Sequence, residues 1–148
     1  MTRIELETLI QAPIEAAFDG ARDIGLHVRL AGRTRERAVA GRVKGLIGPG
    51  EWVTFSGVHF GFRLQLTARI SEFEAPHRFA DEQTRGPFAF LKHTHVFESR
   101  GTGQTLMRDV VEFEAPFGIF GRVAEPVVAW HLSRFLRERA QGLRAFLE

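Results

Sequence analysis

The sequence predicts an α+β fold: one strand, two short helices, a run of antiparallel strands, then one long closing helix. Three observations predict it. Hydrophobicity alternates with a period of two from Glu51 to about Phe113, short turn signals break that stretch into segments, and after Ala115-Pro116 the period becomes helical. Connections this short join antiparallel neighbours. The 148 residues suit one domain spanning 1–148, and a chain of that size buries ~70% of its unfolded surface.

Residues 4–11 read as the first strand, with Ile4, Leu6 and Ile10 on one face and Glu5, Glu7 and Gln11 on the other. Pro13 suits the first turn of a helix over 13–22, where its missing N–H costs nothing. A second short helix follows near 23–31, and the Gly- and Pro-rich run 42–50 reads as loop. Strands are then expected over 51–57, 62–73, 78–84, 89–99 and 105–114, separated at Gly61, Ala75-Pro76, Gly86-Pro87 and Gly101-Thr102-Gly103. With the first strand and the passage into the second, the sheet should hold six to seven strands. In the C-terminal helix Val128, Leu132, Phe135, Leu136, Ala140, Leu143 and Leu147 form an apolar stripe, and Pro126 marks its start or a kink. One long helix laying such a stripe on a curved sheet leaves a cavity between them.

Composition excludes several classes. The 44% hydrophobic and 26% charged fractions are those of a globular protein. There is no cysteine, so disulfides, Cys-ligated metal and thiol catalysis are ruled out. No apolar run approaches the ~20 residues of a membrane-spanning helix, and no long apolar stretch follows the N-terminal charge, so a cytoplasmic protein is expected. The pI near 9.9 accompanies a formal charge of only +2 and reflects missing tyrosines and cysteines rather than strong basicity. Nucleic-acid binding is therefore not expected, and the Gly-rich run 41–50 fits neither a P-loop nor a dinucleotide fingerprint. Residues 22–44 hold seven basic and two acidic side chains, a local +5. That segment reads as a solvated face or as a transient contact to an anionic membrane or acidic partner.

The chain resembles the START/Bet v 1-like (SRPBCC) superfamily, in particular its bacterial cyclase/dehydrase-like ligand-binding branch. The resemblance rests on Ala40-Gly41-Arg42 through Gly48-Pro49-Gly50-Glu51, Val53-Thr54-Phe55, His59-Phe60-Gly61 and Ile70-Ser71-Glu72-Phe73. It continues through Asp81-Glu82, Gly86-Pro87-Phe88, His93-Thr94-His95-Val96-Phe97, Gly103-Gln104-Thr105 and Ala115-Pro116-Phe117-Gly118. It implies a helix-grip fold, a curved sheet wrapped around the C-terminal helix, and a small hydrophobic ligand of lipid, polyketide or isoprenoid type. It leaves open whether the ligand is only bound or also turned over.

Strand parity gathers the chemistry-bearing residues. His93 and His95 lie two apart and share a face with Leu91 and Phe97, while Met107 and Asp109 share the inward parity of the next strand. Asp81 and Gln83 share parity with Phe79, and His59 with Phe55. The short turn after Ser99 sets His95 or His93 opposite the stretch from Met107 to Asp109. On the C-terminal stripe, His131 and Phe135 join from above. The expected ligand-binding set is thus His59, Asp81, Gln83, Leu91, His93, His95, Phe97, Met107, Asp109, His131 and Phe135, with Phe55, Leu64, Leu66 and Leu132 as further apolar wall. Three chemistries suit the cluster: a satisfied polar patch that orients a ligand, acid–base catalysis by His93 or His95 with Asp109, or a divalent metal on His-x-His plus Asp. The first is preferred; no metal and no cofactor is assigned. His27 and His77 are expected at the surface, Trp52 and Trp130 as packing residues on its edge.

Overall fold

The computed structural model describes residues 1–31 and 34–148. Its elements in chain order are β1 (Thr2–Ile10), α1 (Ile14–Ala21), α2 (Ile24–Leu30), β2 (Arg37–Gly41), β3 (Trp52–His59), β4 (Phe62–Glu74), β5 (Arg78–Arg85), β6 (Phe90–Ser99), β7 (Thr105–Glu114) and α3 (Gly118–Leu147). The strands form one antiparallel sheet ordered β1-β7-β6-β5-β4-β3-β2. This is the helix-grip arrangement: every neighbour but one follows from a short hairpin or loop, and only the β1–β7 pairing is long-range. That pairing sets Leu6 opposite Asp109 and makes β1 an edge strand of the sheet. β2 is the strand the alternation does not reveal. It is only five residues long, RAVAG, with its register broken by a bulge between Ala38 and Ala40.

The apolar faces meet in two clusters. Phe18 of α1 is 1% exposed and meets Phe73, Phe79 and Phe97 edge-to-face, with ring centroids 5.4–5.5 Å apart. Ala140 and Leu143 from the last turns of α3 pack on the same cluster. The second cluster joins Val111 and Phe113 of β7 to Leu136 of α3, with Leu91, Val128 and Leu132 around it. α1 and α2 thus plug one end of the concave sheet, and the other end is covered only by the first half of α3.

Local signals fix the helix ends. The Asp23 side chain accepts the Leu26 N–H at 3.1 Å and caps α2. Asp23→Ala should lower the unfolding free energy by ~1 kcal/mol in urea melts; an unchanged midpoint would remove the cap from the account of α2. Helix α3 begins eight residues before Pro126, which lies inside it. The chain turns into this helix at Phe117, whose φ of 70° is left-handed. Gly121 then presses against the preceding loop, where a Cβ would collide with the Pro116 carbonyl oxygen. Glu125 is 7% exposed because it turns inward, accepting hydrogen bonds from the Thr2 hydroxyl and the Ala115 N–H. No helix among the described residues is long and apolar enough to cross a membrane.

Candidate functional site

The half of the concave face that α1 and α2 leave open forms a cavity of about 360 Å³ under α3. Phe55, Leu64 and Leu66 wall it from β3 and β4, Leu91 and Val111 from β6 and β7, Leu132 and Phe135 from α3. Phe60, Pro87 and Pro116 stand on its rim. Six of these wall residues are ones expected from the sequence: Phe55, Leu64, Leu66 and Leu91 on strands, Leu132 and Phe135 on the helical stripe. Five other expected positions lie outside it: His95 and Asp109 in the cluster described below, and Gln83, Phe97 and Met107 elsewhere. Phe97 and Met107 face inward but are 2% exposed in the Phe18 core, because α1 covers that end of the sheet. Gln83 is a turn clasp instead: its amide donates to the Phe88 carbonyl at 2.8 Å and accepts the Phe88 N–H at 3.2 Å, holding the β5–β6 turn.

Four polar side chains meet on the sheet. Asp81 sits opposite His93 across β5–β6, and His95 sits opposite Asp109 across β6–β7. The two imidazoles stack with centroids 3.8 Å apart, and Phe79 stacks on His95 at 4.1 Å. This is closer than the strand repeat alone sets, because both rings lean together. His93 Nε2 lies 2.8 Å from Asp109 Oδ1. His95 Nε2 lies 2.9 Å from Asp81 Oδ2, and its Nδ1 stands 3.4 Å from Asp109 Oδ1.

Charge states follow from these contacts. Burial opposes charge on both carboxyls, yet the histidine hydrogen bonds prevail: Asp81 is held down at about 2 and Asp109 below the usual carboxylate range. Burial also opposes charging His95, but hydrogen bonds to Asp109 and Asp81 outweigh it and raise its pKa. His93 is lowered, by burial first and then by the neighbouring His95. These contacts favour the protonated form of His95 between two carboxylates and the neutral form of His93, whose Nε2 faces Asp109. His93 and Asp81 reach the cavity; His95 lies behind them.

A second polar group enters from the other side. Glu36 lies 3.8 Å from His27 Nε2 and 3.8 Å from His59 Nε2. His59 Nδ1 and His131 Nε2 share a hydrogen bond of 2.8 Å. Arg139 Nη1 lies 3.2 and 3.3 Å from the ring nitrogens of His27, and its guanidinium covers the Phe135 ring. His27 is not at the surface: it stacks on Phe55 with centroids 4.4 Å apart, and burial, then Arg139, lower its pKa to about 4. Burial opposes ionising Glu36, but His27 and His59 overcome it and hold its carboxyl below the ordinary range. Five of the six histidines therefore converge on the cavity and the cluster behind its wall; His77 alone is exposed.

Sequence reasoning passed over His27, Glu36 and Arg139. Arg139 carried a visible signal, a charge inside the apolar stripe between Leu136 and Leu143. Glu36 is one of the two acids in the basic run 22–44, and it points inward. Within that run Arg22 is tied to Asp19 and to the Ile47 carbonyl, and Arg42 to Glu51. Gly32 and Arg33, which the same run includes, lie outside the described residues.

Asp81, His93 and His95 offer one ligand atom each within 4.8 Å of one another. A divalent ion needs its ligand atoms to converge on one point ~2.0–2.2 Å away. Stacked rings inclined by only 22° aim their lone pairs along nearly parallel planes. Binding an ion there would require the rings to unstack and each carboxylate to exchange its partner.

Comparison with protein-family models gives no match, and comparison with curated proteins gives none. Solved structures do match over nearly the whole chain. TTHA0849 from Thermus thermophilus is 18% identical with a TM-score of 0.76, covering 99% of this chain and 100% of its own. A START superfamily protein from Mycobacterium smegmatis is 12% identical with a TM-score of 0.76, covering 98% and 96%. The Zhui aromatase/cyclase from a Streptomyces species is 11% identical with a TM-score of 0.81, covering 99% and 93%. At these identities the likeness establishes the fold alone, the helix grip that the sequence motifs imply.

Proposed function

We propose that this helix-grip chain binds one small, mostly apolar molecule in the cavity under α3, with a polar group of that molecule turned toward Asp81 and His93. The observation that carries the reading is a space of about 360 Å³ with aromatic and aliphatic walls and hydrogen-bonding groups confined to a few positions. That is the usual make-up of a small-molecule site, apolar for affinity and sparsely polar for orientation. The fold neighbours support it, since a START superfamily protein and an aromatase/cyclase share this architecture. Native mass spectrometry of protein from its own cell should show one copurified lipid-, polyketide- or isoprenoid-like molecule. Filling the cavity with Leu66→Trp should weaken binding of an apolar fluorescent probe by at least ~tenfold, since volume is taken from a packed site. Equal probe affinity in the filled variant would place the ligand elsewhere.

A specific arrangement favours a second reading, a cyclase- or dehydratase-type enzyme in the same cavity. His93 is neutral, faces the cavity and donates Nε2–H to an ionised Asp109, which leaves Nδ1 as a base. Asp109 would orient the ring while His93 removes a proton from carbon beside a carbonyl. His93→Asn should then abolish exchange of that proton while the ligand still binds; exchange at the wild-type rate would leave binding alone.

A further inference from the structure

The first half of α3 is apolar on both faces. Its inner face carries Gly121, Val128 and Leu132 toward the sheet. Its outer face, with the residue that leads into it, carries Phe117, Ile119, Phe120, Val123, Val127 and Trp130, between 58% and 85% exposed. At 100° per residue, Ile119 to Trp130 fall within about 100° of the helix circumference, one continuous stripe. The β3–β4 turn adds Phe60 and Phe62, 53% and 70% exposed, and the Phe60 ring lies 4.5 Å from His131 of α3. Of these side chains Phe60 also lines the cavity, as does Pro116, the residue before Phe117.

Two further observations set this patch apart from scattered surface apolar residues. Among the described residues only three non-glycine positions have positive φ, and two of them, Phe60 at 53° and Phe117 at 70°, hold aromatic side chains of this patch. L-residues adopt that backbone rarely, and such outliers gather where a surface is used. The charge is also one-sided. From Phe117 to Arg137 the helix carries Arg122, Arg134 and Arg137, all exposed, and a single acid, Glu125, which is buried. The first exposed acid is Glu138, beyond the stripe and 3.4 Å from Arg134. Arg134 also lies over the Trp130 ring at 5.6 Å, at the boundary between the apolar stripe and the basic turns that follow it.

We propose that this rim docks on an anionic lipid bilayer, the apolar stripe entering the interface and the arginines meeting lipid phosphates. Aromatic and aliphatic side chains in one stripe, flanked by cations and without exposed acids among them, are the chemistry of a helix that lies in a membrane surface. A second copy of the chain fits less well, because it would set like-charged arginine rows against each other and seal the cavity mouth. The basic run 22–44 is not needed for this contact. Docking is measured without any cavity ligand and stands apart from the ligand-binding reading; only its purpose, passage of an apolar molecule between bilayer and cavity, rests on that reading.

The test uses Trp52→Phe protein, in which Trp130 is the sole reporter, and vesicles of phosphatidylcholine with or without phosphatidylglycerol. The protein should sediment with the anionic vesicles, its Trp130 emission should shift to the blue, and binding should weaken several-fold as salt rises from ~0.05 to ~0.5 M. Phe120→Asp with Val123→Asp should reduce binding by at least ~tenfold while the thermal midpoint holds, since both side chains are already in water. Arg122→Glu with Arg137→Glu should do the same through charge alone. The proposal is overturned if wild-type protein ignores anionic vesicles, or if the Phe120→Asp/Val123→Asp protein binds them equally. It is also overturned if the wild type is a dimer that those two substitutions dissolve and that does not bind vesicles.

Discussion

Asp109→Leu should destabilise the protein by ~3–5 kcal/mol, measured by urea unfolding near neutral pH. Asp109 is 5% exposed and is the shared acceptor of the cluster, with His93 Nε2 at 2.8 Å and His95 Nδ1 at 3.4 Å. Removing it leaves two buried imidazole N–H groups with one acceptor fewer each, at ~1–3 kcal/mol apiece. His95 keeps only Asp81 as a carboxylate partner, so its raised pKa should fall, which NMR titration of the ring protons would show. Asp109→Asn keeps one acceptor oxygen and should cost less than the leucine variant. Equal stability of Asp109→Leu and wild type would mean that the network contributes nothing, and the proton arrangement drawn from it would fail.

The parts of the site that were legible in the sequence are those set by strand parity and one short hairpin. Period-two alternation puts His93, His95 and Asp109 on one face, and the turn after Ser99 fixes the register to within two residues of the observed His95–Asp109 pair. Parity names a face but not which stretch of it the helices cover. Phe97 and Met107 share the inward face, yet they lie beneath α1 rather than in the cavity. Nor does parity reveal how side chains lean, which is why the histidine rings come within 3.8 Å.

What could not be read depends on packing between distant segments. His27 enters the site only because α2 lies against Phe55 of β3, and Glu36 only because it precedes a five-residue edge strand that alternation does not signal. The outer stripe of α3 escaped for a different reason. The inward periodicity is clear only from Val128 onward, whereas the helix starts at Gly118 and its first turns carry apolar side chains on both faces. A helix of that kind has no single periodic face to find.

Acid should destabilise the protein in a window where carboxylates are not yet involved, and His27 is the main reason. Its pKa is about 4 in the folded protein against 6.5 for an ordinary imidazole, because burial and then Arg139 oppose its charge. Between those values the unfolded chain binds a proton that the folded chain refuses, so stability falls as pH drops from 6.5 toward 4 and this contribution is flat below. The shift corresponds to a loss on the order of 3 kcal/mol across the window. His93, also lowered, adds to the same slope. His95, raised, acts on the other side: its contribution is present below the ordinary imidazole value and is lost as pH rises through its folded pKa. Glu36, Asp81 and Asp109 are lowered carboxylates, so their contributions are present above the ordinary carboxylate range and disappear only at more acid pH. Urea unfolding at half-unit steps of pH, from about 7.5 to about 4, resolves the histidine window, because the slope of stability against pH counts the protons taken up on unfolding. His27→Gln should flatten the slope by up to one proton while leaving the more acid transition in place. A variant whose slope matches the wild type would show that His27 titrates freely, and its position between Phe55, Glu36 and Arg139 would have to be given up.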